Sequence, residues 1–128
     1  MKIAAAIARY LLGLMFTVFG LNMFFHFIPT PPPPPGYAGQ FSELLMVTHY
    51  FSAVGSVMVV SGLLFLANRY VALALVLLAP VLYNILIFHI LMNPGGIGLG
   101  AFATLLWLLL AWRHRAAFSS ILQKRLPE

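Results

Sequence analysis

A chain of 128 residues with 62% hydrophobic residues, 7% charged residues and a mean hydropathy of +1.01 has too little polar surface to cover a water-facing exterior. That composition excludes a soluble fold and specifies an integral membrane protein, a single domain by its length. The net charge of +5 sits beside apolar runs and forms no interleaved basic and aromatic face, which argues against nucleic acid, and the absence of cysteine excludes disulfides, thiolate metal sites and dithiol relays.

The first apolar run, Ile3 to Ile28, is too long for a signal-peptide core, and no small-residue cleavage pattern closes it before Pro29. It is expected to be a retained transmembrane helix over 8–27. Gly13 and Gly20, seven residues apart, form a smooth strip for close helix packing, and Asn22 and His26, four apart, share a face near its far end. The segment IPTPPPPPG (28–36) contains five consecutive prolines, which predict a stiff polyproline strut.

From Tyr37 to Ala67 the chain is again apolar, and a single helix there would be roughly 46 Å long against a hydrocarbon core of ~30 Å. The run is therefore divided into a short surface helix over 39–47, carrying Gln40 and Glu43, and a crossing over 49–66. Ser52, Gly55, Ser56, Ser61 and Gly62 suit the second crossing to tight packing. Asn68-Arg69 makes a turn so short that the next crossing, 71–92, must be an antiparallel neighbour. Pro80 is expected to kink this helix and free a carbonyl near Val76. Asn93-Pro94-Gly95-Gly96 turns the chain into a fourth crossing over 97–112, and the basic, amphipathic tail 113–125 suits an anionic membrane surface.

Charge fixes an orientation for this all-α, four-crossing bundle. Lys2, Arg9, Arg69, Arg113, Arg115, Lys124 and Arg125 all fall on one side, which the positive-inside rule places in the cytoplasm with both termini. The first and third crossings then run in the same direction, and each ends outside at a histidine followed by a proline-containing loop, as in a parallel repeat of two hairpins.

The third crossing, with no formal charge from Val71 to Met92, nevertheless contains Pro80, Tyr83, Asn84 and His89. Unpartnered amides and imidazoles cost several kcal/mol in lipid, so such groups should face protein or a cavity. The candidate ligand site at the outer end is accordingly Asn22, His26, Glu43, His49, Tyr83, Asn84 and His89. Three readings remain open: structural hydrogen bonding, a quinone or lipid pocket, and a haem or metal site in which two or three of His26, His49 and His89 act as ligands. No phosphate-binding glycine loop, carboxylate pair or G-x-S-x-G elbow is present.

Ala8-Arg9-Tyr10-Leu11-Leu12-Gly13-Leu14, Phe19-Gly20-Leu21-Asn22 with His26, the proline run ending near Gln40-Phe41, Ser61-Gly62-Leu63-Leu64, and Ala79-Pro80-Val81 with Asn84 and His89 together resemble the DoxX-like family of small bacterial membrane proteins. The resemblance implies four transmembrane helices in the bacterial cytoplasmic (inner) membrane. It also implies a role as an accessory or assembly subunit of a membrane redox complex, in contact with other membrane subunits or with further copies, or else as a quinone-linked oxidoreductase. One departure bears on the second role: family members often carry an acid a few positions before the Gly-Leu-Leu segment, where this chain has Met58.

Overall fold

The computed structural model describes residues 1–128, which form five α-helices and no strands: α1 (Lys2–Phe25), α2 (Tyr37–Val47), α3 (Tyr50–Ala67), α4 (Val71–Met92) and α5 (Ile97–Arg113). All but α2 are long and apolar enough to cross a membrane, the last counted together with the short 3-10 turn Pro94–Gly96 that leads into it. The chain is a multi-pass membrane protein. Its outward faces are mainly apolar along the long helices, with Ile7, Leu14, Leu63, Leu73, Leu105 and Leu108 all exposed, as expected where lipid rather than water is the solvent.

The α1–α3 seam is the most extensive helix pairing, and glycine creates it. A Cβ placed on Gly13 would lie 3.1 Å from the Gly62 carbonyl oxygen, and one on Gly62 would lie 2.9 Å from the Gly13 oxygen and 2.6 Å from the Thr17 amide. One heptad further along, Gly20 and Gly55 repeat the arrangement, each 2.9 Å from the other's carbonyl by the same measure. The two backbones approach so closely that Cα–H groups face carbonyls across the seam, a recurring weak interaction at helix interfaces. Thr17 Oγ1, pressed against Gly62, is the one buried side-chain polar atom without a hydrogen-bond partner.

Around this pair the other helices close a ring of contacts, α3 with α4, α4 with α5, and α5 with α1. The Trp107 indole donates to the Leu75 carbonyl at 2.9 Å, joining α5 to α4. Ile85 covers Gly100 so closely that a Cβ there would lie 2.9 Å from the Ile85 Cγ2. Leu12, Phe16, Phe65, Leu75, Leu78 and Leu110 fill the middle, and the only buried polar residue among them, Ser61, donates its hydroxyl to the Val57 carbonyl at 2.8 Å.

At one end the start of α1 meets the ends of α3 and α5. Arg9 donates to the Phe65 carbonyl and lies over the Tyr10 ring, 4.3 Å from its centroid. His114, partly buried beyond α5, has its imidazole pKa lowered from the ordinary 6.5, first by desolvation and then by the positive charges of Arg113 and Arg9. At the other end α2 packs on α3 and α4. Gly36 turns the chain with φ +77, and Gly39 lies so close to the Pro34 carbonyl that no Cβ could stand between them, which fastens the proline segment to the first turn of α2.

Three boundaries differ from the sequence reading by two residues or more, the others by one at most. α1 begins at Lys2 rather than residue 8, because Ala4-Ala5-Ala6 continues the helix past the membrane-length segment. It ends at Phe25 rather than Phe27, for a reason given below. The surface helix starts at Tyr37, directly after Gly36. The basic tail holds only the 3-10 turn Arg115–Phe118, followed by turns and bends.

Gly62→Ala is expected to force α1 and α3 apart and to cost about 1–3 kcal/mol by overpacking, whereas Gly98→Ala, which meets nothing within 4 Å, is neutral or mildly stabilising; thermal unfolding in detergent compares them. Because the folded state disfavours protonated His114, the unfolded chain binds more protons as pH falls through 6.5. Stability is therefore expected to be flat above that value and to decline below it, and His114→Gln is expected to flatten the profile.

Candidate functional site

The seven residues expected to converge at the outer end do not form one site. Asn22 is used locally: its Oδ1 accepts from the Ile28 amide at 2.8 Å, closing the end of α1. His26 is the C-cap of that helix in a left-handed conformation (φ 50), its amide donating to the Asn22 carbonyl, and its ring is exposed. His49 holds a second left-handed corner (φ 60) between α2 and α3 and is also exposed, as is Glu43 on the outer face of α2. Tyr83 is 65% exposed, and exposed Asn84 turns its amide back to the Pro80 carbonyl at 2.8 Å. No three His, Asp or Glu side chains are grouped so as to hold a metal ion, which removes the three-imidazole arrangement.

The symmetry between His26 and His89 also fails. Pro29 follows His26 by three residues and excludes the helical conformation from Ile28, so the chain leaves α1 through the left-handed turn at His26, with Asn22 capturing the freed amide. Pro94 follows His89 by five residues, and α4 runs on to Met92. His26 therefore lies beyond its helix, whereas His89 lies within the last turn of its own.

His89 is the one member of the set that faces a cavity. A half-open cleft of about 250 Å³ lies between the helices at this end, lined by Met15, Phe19 and Met23 of α1, Met58 of α3, His89 of α4 and the Gly96 turn, among other apolar neighbours. Its placement follows from the seam: Met23 lies over Gly55, and the Met58 Cβ is 3.0 Å from where a Cβ on Gly20 would stand.

The imidazole is held in one tautomer. Its Nδ1 is 2.7 Å from the Ile85 carbonyl, and because a carbonyl can only accept, Nδ1 carries a proton, which leaves Nε2 as the nitrogen that bears the lone pair of a neutral imidazole. The Nε2 edge faces Gly96, where a Cβ would lie 3.1 Å from that nitrogen, so only glycine leaves the edge clear. The Phe88 ring meets the imidazole edge-on at 5.1 Å and is itself stacked on Phe41 of α2 at 5.9 Å, which seats the surface helix beside the cleft. The site thus consists of one oriented acceptor in an otherwise apolar cleft. Sequence reasoning did not place Met15, Phe19, Met23 or Met58 in the site; the signal in α1 was the i, i+4, i+8 spacing of the first three, which any packed core shares, and Met58 stood out only as the residue in place of an acid.

No family model, curated protein or solved structure matches this chain.

If His26 and His49 act through their backbone conformation, glycine should serve at both places. His26→Gly and His49→Gly are expected to keep thermal stability in detergent or raise it by up to about 1 kcal/mol, since a left-handed non-glycine residue is strained by that order. A clear loss in either variant would show that the imidazole itself is needed there.

Proposed function

We propose that the protein is an accessory or assembly subunit of a membrane complex, most simply a redox complex, and that its cleft holds the head of a small apolar molecule such as a quinol or a lipid. The observation that carries this reading is the single oriented acceptor, His89 Nε2, in a cleft otherwise lined by hydrocarbon and thioether. A guest with one hydroxyl donor and an apolar body suits such a cleft. We further propose, on the residues quoted above, that the chain is a DoxX-like protein of a bacterial cytoplasmic membrane, with which the same role is consistent.

In this reading the four long helices form a bundle with both termini in the cytoplasm. Arg9, Arg69 and Arg113 lie at helix ends that meet on one side, with Lys2, Arg115, Lys124 and Arg125 in the adjoining termini, and the opposite loops hold no Lys or Arg. The positive-inside rule turns that asymmetry into an orientation with the cleft toward the outer face. An enzymatic role is less well supported. Proton exchange with a quinone calls for an acid or base with a route to water, and the cleft has one imidazole and no carboxylate among its lining residues.

Native mass spectrometry of the protein taken from its own membrane in mild detergent tests both parts. The wild type is expected to carry about one quinol or lipid per chain and to arrive with larger partners. His89→Leu is expected to insert and fold normally, judged by helical circular dichroism, and to lose the guest. A wild-type chain that is bare and solitary would overturn the reading.

A further inference from the structure

Three of the chain's six methionines, Met15, Met23 and Met58, line the same cleft as His89. With no cysteine in the chain, thioethers are its only soft sulfur donors. We infer that this end of the molecule is a binding site for a soft monovalent metal ion, Cu(I) in the cell and Ag(I) as its redox-inert substitute, held by the Met23 and Met58 sulfurs and His89 Nε2 with Met15 on the adjoining wall.

Donor chemistry selects the ion. Thioether and imidazole together favour Cu(I), while Ca²⁺, Mg²⁺ and Mn²⁺ require oxygen ligands. The only acids in the chain are Glu43, exposed on α2, and Glu128 at the end of the chain, so the cleft offers only neutral donors. The cost of moving an ion out of water rises as the square of its charge, so neutral donors in an apolar cleft favour a single positive charge over two.

The histidine is prepared in the way metal-ligating histidines are. Its second nitrogen donates to a backbone carbonyl, which fixes the ring and leaves Nε2 as the donor atom, and Gly96 keeps that edge clear. Methionines that merely filled space would account for the apolar lining but not for an imidazole in the same wall whose Nδ1 is already fixed on a backbone carbonyl. The long, unbranched thioether chains of Met23 and Met58 start from fixed points on the α1–α3 seam and have the freedom to close on an ion. This inference does not depend on the accessory role. Because the ion and an organic guest both require the Nε2 lone pair, they are expected to exclude one another.

The test uses the full chain in mild detergent with methionine methyl groups labelled with ¹³C. Titration with Ag(I) is expected to saturate at one ion per chain, shifting the Met23 and Met58 methyl signals and leaving Met1, Met46 and Met92 in place. Cu(I) competition against a chromophoric chelator is expected to show at least tenfold weaker binding in Met58→Leu and Met23→Leu, which conserve core volume, and in His89→Leu. Shifts that appear first at Met1, Met46 or Met92, no saturable shift at all, or a Met23→Leu/Met58→Leu double variant that binds as the wild type does would each overturn the site. The wild-type methyl titration decides the matter even where a variant fails to fold. A chain freed of its organic guest that still takes up no ion removes this inference and leaves the accessory reading standing; an ion bound to a chain that carries no guest and arrives without partners does the reverse.

Discussion

The close approach of α1 to α3 at the Gly13–Gly62 and Gly20–Gly55 pairs is the contact on which the rest of the molecule is built. In lipid there is no hydrophobic gain from bringing two apolar helices together, so association depends on dispersion at short range and on weak polar contacts between backbones. Both fall away within an ångström or so. Four glycines at heptad spacing on two antiparallel helices meet that requirement, and Leu66, Val59, Met58 and Met23 pack on the flanks of the seam. The spacing that makes the seam therefore also sets the positions of two methionines in the cleft wall.

Apart from His89, the polar groups of the long helices are mostly closed on nearby backbone. Ser61 bonds to Val57, Ser56 to Ala53, Thr104 to Gly100 and Asn84 to Pro80, all three or four residues back along the same helix. Such bonds satisfy the side chain at the least entropic cost, and they leave it without directed chemistry. His89 begins in the same way, with Nδ1 bonded to Ile85, but imidazole has a second nitrogen. It is thus the one residue of the crossings in which local satisfaction and an outward-facing donor atom coexist.

That distinction explains what could be read from the sequence. The number and approximate extent of the crossings, the separate surface helix and the packing role of Gly13, Gly20, Gly55 and Gly62 all follow from patterns local to a segment, and the structure places them accordingly. The candidate site depended instead on the angular phase of one helix against another. His89 and Asn84 are five residues apart, about 140° around a helix, and α4 turns the first toward the cleft while Asn84 and Tyr83 are exposed. The apparent likeness of His26 to His89 failed over two residues in the distance to the next proline, enough to put one histidine in a left-handed turn and the other inside a helix. Met58 reads as core in any apolar helix; only its position opposite Gly20 makes it part of a site.

The proline segment gains its meaning from the same end of the molecule. A strap across the end of packed helices must hold its course where few partners exist for backbone amides, and proline has no amide hydrogen to leave unpaired. Pro34 rests on Gly39, and α2 carries Phe41 onto Phe88, whose ring edge meets His89. The chain of contacts from the strap to the imidazole thus consists of a carbonyl against a bare α-carbon and two aromatic contacts, with no charged group along it. The strap thus fastens the surface helix whose Phe41 reaches the residue next to His89, and Glu43 on that helix is exposed. His89 Nε2 is then left as an acceptor with no carboxylate among its cleft neighbours, the condition under which a neutral donor atom can select a hydroxyl or a soft cation.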